Sequence, residues 1–396
     1  MSQDSIQSHQ DSSEPKTADK SGETDKTNVR EGPLVILKGF FMGAADVVPG
    51  VSGGTMALIL GVYTRLIYAI KSVNLKAVKS LFTFRIKNAL NEIHWLFLLF
   101  LGIGMACAVV FFTRIVPLHE LMYTHPERVY GLFFGLIAGS VFLLAYSLNA
   151  WSWKSVFSII AGTAIGFRIV TLVPAETPET AAFVFFSGTI AVSAMVLPGI
   201  SGSFILLILQ QYDHILGNIS LLGTGETWSA LTVLVPFGLG MITGIVIFAR
   251  LLSWLLKNYY VITLSLLIGF MMGSLYVIWP FQEREFTESV QTRVVSVDDE
   301  TVQELKQGEE VGSFREYKEL GDIVNPQAPE NEQKIELKKI SRHTIASNPF
   351  LPRFDEADQD DRLSDGRRSL ISGYLFILGG FGLVAILGYL SRWKIV

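Results

Sequence analysis

The stretch "ADVVPGVSGGTMALILGVY", residues 45–63, places a Pro-Gly-x-Ser-Gly-Gly break inside an apolar run. Lipid offers no hydrogen-bond partner to free backbone groups, so non-helical backbone at membrane depth must line a polar cavity or be buried in protein. The apolar residues before the break number about 15, roughly 22 Å at helical rise, which is short for the hydrocarbon core of a bilayer. We therefore predict a re-entrant helical hairpin over residues 34–70.

The chain contains a second copy of this stretch. "AMVLPGISGSFILLILQQY", residues 194–212, aligns with the first copy without a gap and predicts a second hairpin over residues 183–219. Two further matches follow in the same order, "GIGMACAVVFFTR" (102–114) with "GLGMITGIVIFAR" (238–250) and "GLIAGS" (135–140) with "GFMMGS" (269–274). Matches in register along the chain indicate an internal duplication.

Composition places most of the chain in a membrane. Half of the 396 residues are hydrophobic, and the mean hydropathy is positive despite two long polar segments. Besides the two hairpins, six apolar runs have the length of a single span, at 94–116, 129–148, 154–174, 228–256, 259–281 and 369–390. We predict an all-α polytopic membrane protein in which each half is one hairpin plus three transmembrane helices. An odd number of crossings per half inverts the second copy relative to the first.

The polar segments complete the predicted domain organisation. Residues 1–31 have almost nothing to bury and are expected to form a disordered tail. The two membrane repeats cover residues 32–174 and residues 175–281 plus 369–396, and the acidic segment 282–368 is an insertion before the last span. Within that insertion, "TRVVSVDDETVQEL" alternates enough to allow a small β-containing module.

Loop charges predict the orientation. The loop 71–87 carries five basic residues, whereas 175–182 carries two acids and no base, so the positive-inside rule places 71–87 in the cytoplasm. Following the crossings, both termini are cytoplasmic and the insertion is extracytoplasmic. The single cysteine, Cys107, excludes an intrachain disulfide and a metal-thiolate cluster, and we expect no cofactor. The sequence contains no basic patch of the kind that binds nucleic acid.

The break itself has the chemistry of an anion site. Ser52 and Ser201 each precede an uninterrupted apolar helix, where a hydroxyl can cap the first amides. A helix N-terminus carries unpaired N–H groups and about half a positive charge, which suits an anion without any basic side chain. If the hairpins enter from opposite sides, their tips meet near the midplane. The alternative is a purely structural role, in which the motif only turns a hairpin and its glycines allow close helix packing.

Four charged residues are candidates for attracting a head group or for coupling. Asp46 is an acid near the tip of the first hairpin, where an intramembrane carboxylate is costly, and Met195 replaces it in the second copy. Arg114 and Arg250 are predicted to end helices at equivalent positions, where snorkelling to the interface is the simpler explanation. Arg65 lies just after Tyr63, the tyrosine that both copies share, and is a candidate on the same grounds as the other two arginines.

Two other classes of function fit parts of the sequence. Gly50-Val51-Ser52-Gly53-Gly54 matches the nucleophile elbow G-x-S-x-G, so an intramembrane serine hydrolase using Ser52 is one alternative. Such a serine needs a base within hydrogen-bond reach, and the second copy preserves the turn but not the elbow. A transporter or channel for a small anion is the other alternative.

The two motifs, "ADVVPGVSGGT" and "MVLPGISGS", with the following "LILGVY" and "LLILQQY", resemble a bacterial membrane family of polyprenyl-phosphate transporters, called PopT, formerly catalogued as a domain of unknown function. The resemblance covers residues 33–281 and 369–390. It implies flipping of undecaprenyl phosphate from the outer to the inner leaflet of the cytoplasmic (inner) membrane, which recycles the lipid carrier of cell-envelope synthesis. The expected partners are this lipid and membrane lipids, and a homo-oligomer is left open.

Carried over onto this chain, the resemblance implies a substrate site built from both turns. Its residues are Pro49, Gly50, Ser52, Gly53, Gly54 and Thr55 in the first motif and Pro198, Gly199, Ser201, Gly202 and Ser203 in the second. Gln210-Gln211 stands where the first copy has Gly61-Val62, which speaks against equal packing of the two halves.

Overall fold

The computed structural model describes residues 27–48, 51–73, 83, 85, 93–116, 118–148, 151–172, 177–223, 225, 227–297, 299–306, 316–325, 333–355, 357–358, 362–363 and 365–392. Two predicted site residues, Pro49 and Gly50, lie outside these ranges, as do residues 1–26 of the predicted tail and most of the basic loop.

The described residues form helices and three strands. After a short 3-10 helix, Val29–Glu31, the first hairpin consists of α1 (Gly32–Val47), α2 (Gly53–Ile59) and α3 (Tyr63–Ser72). The next helices are α4 (Trp95–Arg114), α5 (Leu118–Thr124), α6 (Pro126–Ser147) and α7 (Trp153–Val170). The second half contains α8 (Ala181–Val196), α9 (Gly202–Ile208), α10 (Tyr212–Ser220), α11 (Thr227–Asn258) and α12 (Tyr260–Ser274). The insertion contains β1 (Gln282–Ser296), α13 (Glu300–Lys306), β2 (Glu316–Ile323) and β3 (Lys334–Pro349), and α14 (Arg367–Arg392) follows it.

The helix lengths confirm a multi-pass membrane protein. Five described helices, α4, α6, α7, α11 and α14, are long and apolar enough to cross a bilayer. The pair α2 and α3 reaches the same length only as a broken unit bent by 119°. One prediction needs adjustment: the apolar run 259–281 is helical only over the 15 residues of α12, because the chain turns after Ser274.

Both hairpins have the same three-part construction, so the prediction that an uninterrupted helix follows Ser52 and Ser201 is wrong. A 16-residue helix is followed by a turn, a 7-residue helix, a second turn and a third short helix. In the second turn Gly61 has φ +67° and its equivalent Gln210 has φ +50°. The backbone bonds also match, since the amides of Val62 and Gln211 each donate at 2.9 Å to equivalent carbonyls. Gln210 thus keeps the same turn at the cost of a left-handed conformation, about 1–2 kcal/mol for a non-glycine residue.

The first long helix of each half packs against the first single span of the same half. Helix α1 lies along α4, and α8 lies along α11. Both contacts place a glycine against a carbonyl oxygen of the partner helix, Gly39 against Leu101 and Gly188 against Phe237. These residues are equivalent in the duplication, so the same close approach occurs twice.

The remaining spans exchange partners between the halves. Helix α6 of the first half packs against α14 of the second, and α12 of the second half packs against α7 of the first. Gly135 of α6 lies against the carbonyl of Ile377, and its equivalent Gly269 of α12 lies against the carbonyl of Ile159. This pairing identifies α7 and α14 as equivalent spans, a match that the sequence comparison does not contain.

The close approach of α1 and α4 gives a test of this packing. A Cβ on Gly104 would overlap the carbonyl oxygen of Ile36, whereas a Cβ on Gly102, on the same helix, meets nothing within 4 Å. We expect Gly104→Leu to lower the free energy of unfolding by about 1–3 kcal/mol or more, because overpacking forces the helices apart. Thermal melting of the purified protein in detergent measures the effect, with Gly102→Leu as the matched control. Equal melting temperatures for the two variants would contradict the packing described here.

The insertion folds as a small β-containing module, as its alternating pattern allows. Its sheet is antiparallel in the order β1-β3-β2, and β1 pairs with β3 from Gln282 opposite Pro349 to Ser296 opposite Lys334. Near the membrane helices, buried Phe281 and Leu370 share an apolar cluster. The all-α prediction is therefore correct for the described membrane part of the chain and wrong for the insertion, which contains a sheet.

Candidate anion-binding site at the paired turns

The first Ser-Gly turn is closed by its own side chains. Ser52 is the N-cap of α2, and its hydroxyl accepts a hydrogen bond from the amide of Gly54 at 3.1 Å. The carboxylate of Asp46 accepts from the amide of Gly53 at 2.6 Å. The amide of Thr55 donates to the carbonyl of Ser52 at 2.9 Å. The first three amides of α2 therefore already have acceptors within the protein.

In the second turn, the first helix amides lack the acceptors that the first turn provides. Ser201 holds the N-cap position of α9, yet its hydroxyl makes no capping bond and instead lies 2.9 Å from the hydroxyl of Ser203. Met195 stands where the first copy has Asp46, so the amide of Gly202 lacks a carboxylate acceptor. Among the described residues, the amides of Gly202, Ser203 and Phe204 donate to no acceptor.

Exposure follows the same asymmetry. Ser52 is 2% exposed and Thr55 is fully buried, whereas Ser201 is half-buried and Ser203 is exposed. The expectation that both helix ends present free amides therefore holds, within the described part of the chain, for the second turn only.

The two turns touch each other, although about 145 residues separate them in the sequence. The amide of Gly199 donates to the hydroxyl of Thr55 at 2.7 Å, and the hydroxyl of Ser52 lies 3.3 Å from the carbonyl oxygen of Leu197. A Cβ on Gly54 would come within 2.9 Å of the carbonyl oxygen of Val196. The meeting of the tips, which the sequence predicts, is present.

Tyr63 also joins the turns and was not among the predicted site residues. Its hydroxyl donates to the carbonyl of Val196 at 3.1 Å, and the side chain is 2% exposed. The signal for it was present, because the tyrosine recurs as Tyr212 in the second copy. Since the aromatic ring is buried and its hydroxyl is bonded, Tyr63 holds the first turn against the second.

Gly199 fixes the shape of the second turn. It has φ +86°, a conformation that favours glycine, and a Cβ there would lie 2.7 Å from the carbonyl oxygen of Phe270 in α12. Pro198, immediately before it, is buried. The second turn is thus held between the first turn and α12.

The predicted charged candidates are placed as follows. Arg65 pairs with Glu31 at 3.0 Å and donates to the hydroxyl of Thr27 at 3.0 Å, so it fastens the chain before α1 to α3. Arg114 is the last residue of α4 and is exposed. Arg250 is exposed too, but the prediction that it ends a helix is wrong, because α11 continues for two more turns to Asn258.

The hydroxyl of Ser52 is not arranged as a nucleophile. It lies within hydrogen-bond distance of two backbone carbonyls, those of Met195 and Leu197, and accepts from the amide of Gly54. A nucleophilic serine instead donates to a general base. These contacts make Ser52 a capping and joining residue of the paired turns.

The Asp46 contact carries a second prediction. Replacement by leucine leaves the amide of Gly53 without its acceptor, and an unsatisfied buried donor costs about 1–3 kcal/mol. We expect Asp46→Leu to lower the melting temperature clearly, whereas Asp46→Asn retains an acceptor oxygen and is nearly neutral. Melting both purified variants in the same detergent tests this, and an equal loss in both would show that charge, not the hydrogen bond, holds the turn.

The fold and the site together define a multi-pass membrane protein with broken helices whose polar turns meet inside the bundle, an arrangement found in membrane transporters. The chain belongs to the VCA0040-like family, described as undecaprenyl phosphate translocase-like, which matches residues 42–295. This confirms the resemblance found in the two motifs.

Two curated relatives are similar over most of their length. A protein of Vibrio cholerae serotype O1 named polyprenyl-phosphate transporter is 38% identical over 247 residues, which cover 62% of this chain and 77% of the relative. A protein of Staphylococcus aureus with the same name is 34% identical over 261 residues, covering 62% of this chain and 85% of the relative. No solved structure matches the chain.

Proposed function

We propose that this protein flips undecaprenyl phosphate between the leaflets of the bacterial cytoplasmic membrane, returning the carrier from the outer to the inner leaflet for cell-envelope synthesis. The family and the two named relatives support a polyprenyl-phosphate transport role. The observation that carries the phosphate site is the second turn, where the amides of Gly202, Ser203 and Phe204 have no acceptor among the described residues and two hydroxyls stand beside them.

The chemistry of this turn suits a phosphate. Amide and hydroxyl donors can together bind the oxygens of a phosphate group, and the positive end of the helix dipole adds to the attraction. The first turn supports this assignment by analogy, because the Asp46 carboxylate already occupies the corresponding position at α2 and accepts from the amide of Gly53. The proposal is therefore one phosphate at the second turn, with the first turn bracing it.

We further propose that the two halves are inverted repeats. The equivalent glycine contacts at Gly39 and Gly188, and at Gly135 and Gly269, support a two-fold relation between the halves. One re-entrant hairpin plus three spans gives each half an odd number of crossings, which turns the second copy over. Such a relation suits alternating exposure of the central site, first to one leaflet and then to the other.

The proposed orientation has both termini in the cytoplasm and the β module outside. The ammonium group of Lys71, at the end of α3, donates to the hydroxyl of Ser253 at 3.0 Å, near the end of α11. This contact supports a common side for the basic loop after α3 and for the end of α11, where Lys257 follows. Their shared positive charge favours the cytoplasmic face.

Only the head group needs a protected path. Moving a charged phosphate through hydrocarbon without partners is prohibitively costly. The isoprenoid tail is soluble in the hydrocarbon of the bilayer and can slide through a lateral opening between helices. The protein then has to bind and release one anionic group and to leave the tail in the bilayer.

Reconstitution tests the proposed function directly. We expect purified protein in liposomes to speed the leaflet exchange of labelled undecaprenyl phosphate at least tenfold over protein-free liposomes. Parallel samples with a pH gradient, a sodium gradient or neither separate coupled transport from passive exchange. If the lipid does not move but small anions cross the bilayer, the protein is instead an anion transporter or channel.

A further inference from the structure

Two apolar pockets flank the crossing of α6 and α12. The first, which we call the α7-side pocket, has a volume of about 320 Å³ and lies among α6, α7 and α12, with Val141, Phe142 and Ala145 in its wall. The second, the module-side pocket, has a volume of about 340 Å³ and is lined by Leu275, Tyr276 and Trp279 after α12 together with residues 349–351 of the insertion. Among the residues that the structure describes, neither lining contains a charged side chain.

The two pockets are equivalent in the internal duplication. A shift of 134 residues relates α6 to α12, as the matched segments "GLIAGS" (135–140) and "GFMMGS" (269–274) show. The same shift converts Val141, Phe142 and Ala145 into Leu275, Tyr276 and Trp279, so the same three positions line each pocket.

The opposite walls follow the same shift. Phe134 of α6 lines the module-side pocket, and its equivalent Ile268 of α12 lines the α7-side pocket. Helix α6 therefore contributes to both pockets, as does the segment formed by α12 and the turn that follows it. The pair of pockets is therefore a feature of the duplicated fold, present in both halves.

The insertion makes the pair unequal. Trp279 donates its indole N–H to the carbonyl of Phe350 at 2.9 Å, which fixes the end of β3 across the module-side pocket. The guanidinium of Arg362 lies 3.9 Å above the ring of Phe350 and holds that segment in place. At the α7-side pocket the corresponding wall is Trp151, before α7.

We propose that these two pockets hold isoprene units of the polyprenyl tail, one pocket while the phosphate faces each leaflet. This proposal rests on the proposed function, because a carrier of such a lipid must accommodate the same tail at the start and at the end of the crossing. The apolar walls suit a hydrocarbon ligand. The volumes suit roughly two five-carbon units each, since an apolar cavity of about 150 Å³ already accepts benzene.

Filling the α7-side pocket tests the proposal. Ala145→Trp introduces the residue that its equivalent, Trp279, already provides in the other pocket, and Val156→Trp on α7 fills the same pocket from another helix. Ala164→Trp is the matched control, because Ala164 is exposed on α7 and lies outside the pocket lining. In liposomes we expect either pocket variant to slow the exchange of undecaprenyl phosphate at least fivefold, and the control to stay within twofold of the unmodified protein.

A photoactivatable polyprenyl phosphate, with a diazirine in the tail, locates the contact independently of transport. We expect its adducts on peptides containing Val141 and Leu275, and we expect Ala145→Trp to remove the former. Adducts elsewhere, with transport intact, would overturn the tail pockets while leaving the proposed function standing. Equal labelling by a diazirine phosphatidylglycerol would overturn them as well, since the pockets would then be general lipid grooves. Absence of any exchange by the unmodified protein would instead overturn the proposed function.

Discussion

Replacing Gly199 with alanine is expected to abolish transport of polyprenyl phosphate and to destabilise the protein by several kcal/mol. Two costs add at this position. A left-handed conformation costs a non-glycine residue about 1–2 kcal/mol, and the new Cβ would lie 2.7 Å from the carbonyl oxygen of Phe270. Relief of that overlap requires the turn to leave α12, which also breaks the bond from the Gly199 amide to Thr55.

Gly223 offers a control that separates the two costs. It has the same φ of +86°, but a Cβ there meets nothing within 4 Å, so Gly223→Ala introduces the strained conformation without the overlap. We expect that variant to exchange lipid at close to the normal rate. Melting temperature and leaflet exchange should both be measured, and a Gly199→Ala protein with normal exchange would refute the placement of this turn.

Removing both hydroxyls of the second turn is expected to reduce exchange at least tenfold without a comparable loss of stability. Ser201 and Ser203 lie 2.9 Å apart and make no other side-chain hydrogen bond within the described residues. A hydrogen bond to a charged group contributes about 1.5–3 kcal/mol, so losing two from a bound phosphate weakens binding by roughly two to four orders of magnitude. The double variant Ser201→Ala with Ser203→Ala should raise the substrate concentration needed for half-maximal exchange.

The matched control removes two hydroxyls from the neighbouring helix. Ser187 and Ser193 of α8 donate to the carbonyls of Phe183 and Thr189 within their own helix, and neither lies in the turn. Alanine at both positions should leave exchange within twofold of normal. Should the Ser201 and Ser203 variant behave in the same way as this control, the phosphate does not bind at the second turn.

Much of the fold follows from local features of the sequence. The apolar runs correspond to helices because a helix satisfies its backbone hydrogen bonds internally, as lipid requires. The Pro-Gly-x-Ser-Gly breaks mark the two hairpins because proline lacks an amide donor and the adjacent glycine readily adopts non-helical backbone. The alternating segment 292–305 forms the end of β1 and then most of helix α13, so it marked the small sheet only in part. Arg250 shows the limit of comparing the two copies: its equivalent Arg114 ends α4, whereas α11 continues to Asn258 through apolar residues that already belong to the run 228–256.

The candidate site was predictable in position but not in its asymmetry. The duplication predicts both turns and their contact. The difference between the turns depends on which backbone amide the side chain of Asp46 bonds. Replacement of Asp46 by Met195 was visible in the alignment, but only the folded turn shows that the carboxylate bonds the amide of Gly53. Tyr63 was equally visible as a repeated residue, yet its bond to Val196 crosses between the halves.

The sequence alone determined that this is a duplicated, multi-pass helical membrane protein with two broken hairpins, because helix length, hydropathy and breakage are properties of contiguous residues. The tertiary structure decided which turn has free amides, which spans exchange partners between the halves, and where α6 and α12 leave two matching apolar pockets. Each of these depends on contacts between groups far apart in the chain, whose placement is set by the packing of whole helices and leaves no mark on the local pattern.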